Sequence, residues 1–147
     1  MIAREAQLEA DAHEALREHL LRTARFGRQR HPSIRSLEDT QSLLADRDVV
    51  RYPVEVVFDA ASLQSGEFAY ADMVGDRPDA GYRLSIHPQF QGHATALPLL
   101  IAYHIPTINF GPIVTADESE VFGAELLGLD QEAYYTRLCA LADSIPT

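Results

Sequence analysis

The first 26 residues place apolar side chains at the spacing of one helix face. From Leu8 to Ala24 every fourth residue is leucine or alanine, and charged residues fill half of the positions between them. The stripe consists of Leu8, Ala12, Leu16, Leu20 and Ala24. This period predicts an amphipathic helix over residues 3–26. Gly27 is expected to end it, because glycine readily adopts the left-handed conformation found after helices.

The period changes at Pro53 from that of a helix to that of strands. Three segments predict strands, over residues 53–59, 67–74 and 82–87. They are either rich in β-branched residues or have side chains of different character alternating between the two faces. Turn-forming residues such as glycine, proline and aspartate fill the links between them. Because these links are short, we expect the three strands to form an antiparallel meander.

The helical period returns after the strands. A helix is predicted from Ala96, with Leu97, Leu100, Ile101, His104 and Ile105 on its apolar side. Pro106 is expected to kink or end this helix, because proline lacks the N–H that an interior helical position needs. Two further helices are predicted over residues 117–129 and 131–144.

The element order predicts an α+β fold. With a short helix between Ser36 and Ala45, the order is α-α-β-β-β-α-α-α, and the helices should cover one face of a small sheet. We expect Leu97, Leu100, Ile101 and His104 to face that sheet, beside Phe58, Leu84, Ile86 and Phe122. The 147 residues fit one domain, 1–147, with N-terminal helices over 3–45, a core over about 50–130 and a last helix over 131–144.

Composition and charge narrow the classes of function. The chain holds 22 acidic residues against 12 arginines and no lysine, and residues 36–147 carry only five of those arginines against 17 acids. Such an acidic body would repel a phosphate backbone, so we expect no nucleic-acid partner. The charged N-terminus and the lack of a long apolar run predict a cytoplasmic protein without a membrane partner. The single cysteine, Cys139, excludes an internal disulfide framework.

Two segments carry a resemblance to a known family. The stretch ALPLLIAYHIPTINFG over residues 96–111 resembles the active-site helix of the small zincin-like metallopeptidases, which bears the motif HExxH. The stretch ESEVFGAELL over residues 118–127 is similar to their glutamate helix, where a metal-binding glutamate lies four residues before a phenylalanine. The resemblance covers about residues 50–130 and implies a zincin-like fold with a zinc site.

The motif itself departs from the family pattern. With His104 in the place of the first histidine, the general-base glutamate becomes Ile105 and the second histidine becomes Ile108. In the family motif, two histidines at positions i and i+4 lie on one helix face and point their imidazoles at one metal ion. This chain lacks that pair of histidines. We therefore interpret the domain as a degenerate zincin-like scaffold without catalytic residues.

Some metal-binding side chains are still present. His104 and Glu118 occupy the family positions, and His87, His93 and Asn109 are nearby in sequence, with His87 as the third candidate ligand. Zinc is therefore the one cofactor to test. Each residue also has a structural interpretation. His104 would be a core histidine bonded to a carbonyl, His87 a surface residue, and Glu118 a helix N-terminal acid favoured by the dipole.

Two functions follow from this interpretation. The first is a non-catalytic binding or interaction domain, with a protein or small-molecule partner and with homo-oligomer formation open. The alternative is a metal-dependent, peptidase-like hydrolase with a rearranged zinc site. Stoichiometric zinc in the purified protein would favour the alternative.

Overall fold

The computed structural model describes residues 2–146 and has the α+β fold that the sequence predicts. Five helices accompany one three-stranded sheet in this part of the chain. The helices are α1 Ile2–Arg30, α2 Leu37–Leu44, α3 Ala96–Phe110, α4 Ala116–Leu127 and α5 Gln131–Asp143, and the strands are β1 Val54–Phe58, β2 Ala69–Met73 and β3 Tyr82–Ile86. Three short 3₁₀ turns lie at Pro78–Ala80, Pro88–Phe90 and Gly111–Ile113.

The sheet is mixed, so the predicted antiparallel meander is wrong. The strand order is β1-β3-β2, with β1 parallel and β2 antiparallel to the central β3. Leu84 stands between Val56 on one side and Ala71 on the other. The central position of β3 agrees with the burial of its side chains, since Leu84 and Ile86 are completely buried whereas β2 carries small and polar residues suited to an edge.

The first helix is longer than predicted. Gly27 does not end α1, which continues to Arg30. A Cβ at Gly27 would lie 2.9 Å from Cδ1 of Leu126 and 3.3 Å from Cγ1 of Val49, so the glycine lets α1 approach α4 closely. Its role is therefore close packing rather than the left-handed turn that the sequence suggests.

The other helix ends follow local signals. Gly128 ends α4 in the left-handed region at φ 69°, and Asp130 caps α5 through the N–H of Ala133. The helix α3 does not end at Pro106 but runs four residues further. The stretch Ala96–Ile113 is apolar enough to cross a membrane by length and composition, but 67% of it is buried inside the domain, as in a core helix.

The core forms around α3, as the sequence predicts. Leu100 and Ile101 are completely buried, and so are Leu84, Ile86 and Phe122. Phe58 is half-buried against the same cluster, and His104 is 8% exposed. This hydrophobic cluster includes residues from α1 through to Ile145, so the helices and the sheet pack around one common core.

Candidate functional site

His104 is held on the β2 side of α3 by its own backbone and by aromatic rings. Its Nδ1 donates a hydrogen bond of 2.7 Å to the carbonyl of Leu100, one turn earlier. Because that nitrogen carries the hydrogen in the neutral ring, Nε2 keeps the lone pair. The rings of Phe68 and Tyr103 meet the imidazole edge-on, with centroids 6.0 and 5.2 Å away.

Burial decides the protonation state of His104. Desolvation lowers the pKa of the imidazole, although the carbonyls of Leu100 and Ala69 and the charge of Glu67 favour the protonated form. The ring is therefore neutral at neutral pH. A neutral imidazole can bind a metal through its unprotonated nitrogen, but it needs further ligands to hold a zinc ion.

Glu118 serves as a helix cap, and it faces α1. Its Oε1 accepts hydrogen bonds from the N–H and hydroxyl of Thr115 at 2.9 and 3.1 Å, which completes a capping box at the start of α4. Its Oε2 lies 2.9 Å from Nδ1 of His13. Burial alone would raise the pKa of Glu118, but the hydrogen bonds from Thr115 and His13 outweigh it and lower that pKa.

His87 also has a structural contact. Its Nδ1 accepts a hydrogen bond of 3.2 Å from the N–H of Gln89 and so caps the 3₁₀ turn after β3. The ring packs against Phe90, with centroids 6.3 Å apart.

The three predicted metal ligands do not share a cavity. His104 lines a cavity beside β2, whereas Glu118 lines another one together with His13 and Arg17. Between residues 2 and 146, no three His, Cys, Asp or Glu side chains are grouped closely enough to hold a metal ion. The zinc site at His104, Glu118 and His87 stays a prediction that only a binding measurement can test.

The positions that would complete the HExxH motif lie in the core. Ile105 and Ile108 are both completely buried in the apolar cluster. Neither can take a proton from water or bind a metal. The helix that resembles the active-site helix thus uses these positions for packing.

A groove lies between β2 and α3, beside His104. It measures about 400 Å³ and runs along residues 66–71, opposite Tyr103, His104 and Thr107 of α3. Half-buried Phe68 and Tyr103 pack edge-on at 6.0 Å and supply apolar surface, and Glu67 supplies one negative charge. We call this the β2–α3 groove.

The free edge of β2 borders this groove. At the two ends of β3, the N–H of His87 donates to the carbonyl of Phe68 and the N–H of Val74 donates to the carbonyl of Gly81. Because every second residue has the same orientation, the backbone groups of Tyr70 and Asp72 also point toward β3. The backbone N–H and C=O groups of Ala69, Ala71 and Met73 therefore point away from the sheet. This edge does not follow from the sequence pattern, because the predicted meander places β2 in the middle of the sheet, where both of its sides would be paired.

The comparisons with known proteins give no relative. No family model, no curated protein and no solved structure matches this chain.

The Glu118 cap predicts a pH-dependent stability. Because the pKa of this carboxyl is lowered on folding from its ordinary value of 4.5, its contribution is present above that value and is lost as the pH falls below it. We expect Glu118→Gln to lower the free energy of unfolding by about 1 kcal/mol at pH 7.

Urea unfolding of both proteins at pH 7 and pH 3.5 measures this effect. The difference between them should shrink at pH 3.5, below the ordinary value of 4.5, because the unfolded chain takes up the proton there more readily than the folded one does. An equal difference at both pH values would show that the negative charge of Glu118 contributes nothing.

Proposed function

We propose that the domain is a non-catalytic binding domain that takes up an extended peptide segment of a protein partner at the free edge of β2. The observation that carries this proposal is the outer edge of β2 at Ala71 and Met73, which no other strand within residues 2–146 pairs and which lies beside the β2–α3 groove. An added strand would satisfy these backbone groups, which is how peptides bind to exposed sheet edges. A cytoplasmic location and a degenerate zincin-like ancestry of residues 50–130 belong to the same proposal.

The groove indicates the chemistry of the peptide. Its aromatic walls at Phe68 and Tyr103 suit an aromatic or long aliphatic side chain of the ligand. Glu67 on the groove and Asp72 on β2 favour a basic residue nearby in the peptide, as does the net charge of −10. An apolar residue with an arginine or lysine close to it is therefore the expected core of the ligand.

A single position on β2 tests the backbone pairing. Peptides selected from a random display library on the wild-type domain should bind Ala71→Pro at least ~10-fold more weakly, because proline removes the outward N–H. Ala71→Ser is the matched control, since it adds polarity at the same half-buried position but keeps the N–H. Calorimetry gives the affinities, and circular dichroism verifies that both variants fold.

Two results would contradict the proposal. One is a selected peptide that binds Ala71→Pro as tightly as it binds Ala71→Ser. The other is a library from which the wild-type domain selects nothing above a control surface.

The metal-dependent hydrolase remains the alternative. No contact among residues 2–146 favours it, because His104 and Glu118 line separate cavities. Incubating the selected peptides with the domain and added zinc separates the two functions. Cleavage that requires zinc and disappears in His104→Ala would replace the binding function with the enzymatic one.

A further inference from the structure

The start of α1 is helical without support from the rest of the domain. Every residue from 3 to 12 is exposed, and the body of the protein covers α1 only from His13 onward. An isolated helical segment of this length is marginal in water, because packing supplies most helical stability in proteins. No other part of the chain between residues 2 and 146 buries this segment.

One exposed face of α1 has the spacing of a helix-pairing seam. Steps of four and three residues connect its members, which are Leu8, Ala12, Ala15, His19, Arg22 and Phe26, all of them exposed. Leu8 is 60% exposed and Phe26 is 38% exposed. We call this face the α1 seam. It is distinct from the buried face at Leu20, Ala24 and Gly27, which packs inside the domain.

The charges of α1 differ between its two halves. Residues 2–18 hold five acids and two arginines, whereas residues 19–30 hold four arginines and no acid. Within the chain, Arg25 and Arg28 form ion pairs with Glu125, and Arg30 forms ion pairs with Asp46 and Asp48. Among residues 2–146, Arg22 on the α1 seam has no such carboxylate partner.

We propose that two copies of this chain pair through the α1 seam in antiparallel orientation. An antiparallel pair places the acidic half of each helix beside the basic half of the other, whereas a parallel pair would place like charges together. The pair is self-complementary, as a two-fold interface requires, because one chain supplies both halves. This complementarity favours a second copy over an unrelated partner.

The seam also has a consistent register. With the two-fold axis at residue 17, Leu8 lies opposite Phe26 of the second copy and Ala15 lies opposite its His19. Ala12 lies opposite Arg22 of the second copy, and Asp11, which precedes Ala12 and lies next to the seam, can pair with that arginine. A surface cavity of about 560 Å³ lies beside this half of α1, lined by His19, Thr23, Phe26 and Arg30. The exposed N-terminal segment of the second copy would fill it.

Sedimentation velocity over a range of protein concentrations tests the proposal. The wild-type chain should form a dimer, and Leu8→Asp should weaken the dimer at least ~10-fold, because it places a charge opposite Phe26 of the second copy. Val74→Asp is the matched control, since Val74 is 53% exposed and lies outside α1. That variant should dimerise like wild type.

A charge exchange tests the orientation. Asp11→Arg and Arg22→Glu should each weaken the dimer several-fold, because each places like charges together across the interface. The double variant should recover most of the wild-type affinity, because the pairing is restored with reversed signs. Both positions are exposed, so the fold should tolerate these changes, and thermal unfolding verifies that it does.

Three outcomes would overturn the proposal. A wild-type chain that stays monomeric up to millimolar concentration excludes the pair. A dimer that Leu8→Asp weakens no more than Val74→Asp does must use another surface. A double charge variant that is weaker than either single variant excludes the antiparallel register.

Discussion

Leu100→Ala should lower the free energy of unfolding by about 2–5 kcal/mol, the range for a leucine truncated in a closed core. Leu100 is completely buried in the middle of α3, next in sequence to Ile101, which is also fully buried. Truncation removes apolar contacts and leaves a cavity that the packed helices around it can fill only in part. Urea unfolding at pH 7 measures the loss.

An exposed residue provides the control for this change. Val74→Ala removes two methyl groups from a side chain that is 53% exposed, and it should change stability by no more than ~0.5 kcal/mol. A loss below about 1 kcal/mol for Leu100→Ala would mean that α3 packs with another face inward. The assignment of the β2–α3 groove would then be wrong as well.

Gly123→Ala should destabilise the domain by about 2–4 kcal/mol, although alanine is the better helix former by about 1 kcal/mol. Gly123 is buried on α4 against the ring of Tyr134 from α5, and an added Cβ would collide with that ring and its hydroxyl. Tyr134 cannot move away freely, because it is completely buried and its hydroxyl donates a 2.6 Å hydrogen bond to the carbonyl of Leu99. The collision therefore has to separate α4 from α5 or break that hydrogen bond.

A double-mutant cycle identifies the collision as the cause. In a Tyr134→Leu background, the smaller side chain leaves room for the new methyl group, so the cost of Gly123→Ala should fall by at least ~1 kcal/mol. If Gly123→Ala stabilises the wild-type domain, helix propensity dominates and α4 and α5 are not in close contact.

Local patterns predicted the elements, and contacts between distant residues decided their arrangement. The strand segments and the end of α4 at Gly128 follow from residue type and period, which act over a few neighbours. Gly27 shows the limit of such reasoning. Glycine signals a helix end in sequence, but here Val49 and Leu126, distant in the chain, determine its role.

The same distinction applies to the candidate site. The sequence identified Glu118 and the acidic first turn of α4, but its partner His13 lies 105 residues away in the chain and no motif connects them. The β2–α3 groove depends on β3 lying between β1 and β2, and strand order is not encoded in alternation. The sequence favours His104 as a core histidine bonded to a carbonyl, and its hydrogen bond to Leu100 confirms this bonding.

The burial of Ile105 and Ile108 limits how this domain can be engineered into a metalloenzyme. Substituting glutamate for Ile105 and histidine for Ile108 would restore the HExxH motif in the sequence. These substitutions would, however, place a carboxylate and an imidazole among apolar side chains that exclude water. The carboxyl would become protonated or the helix would shift, and neither outcome gives a base beside a metal-bound water. A designer would have to open the packing around α3 first. A new active site would be easier to build in the β2–α3 groove, which is already open to solvent.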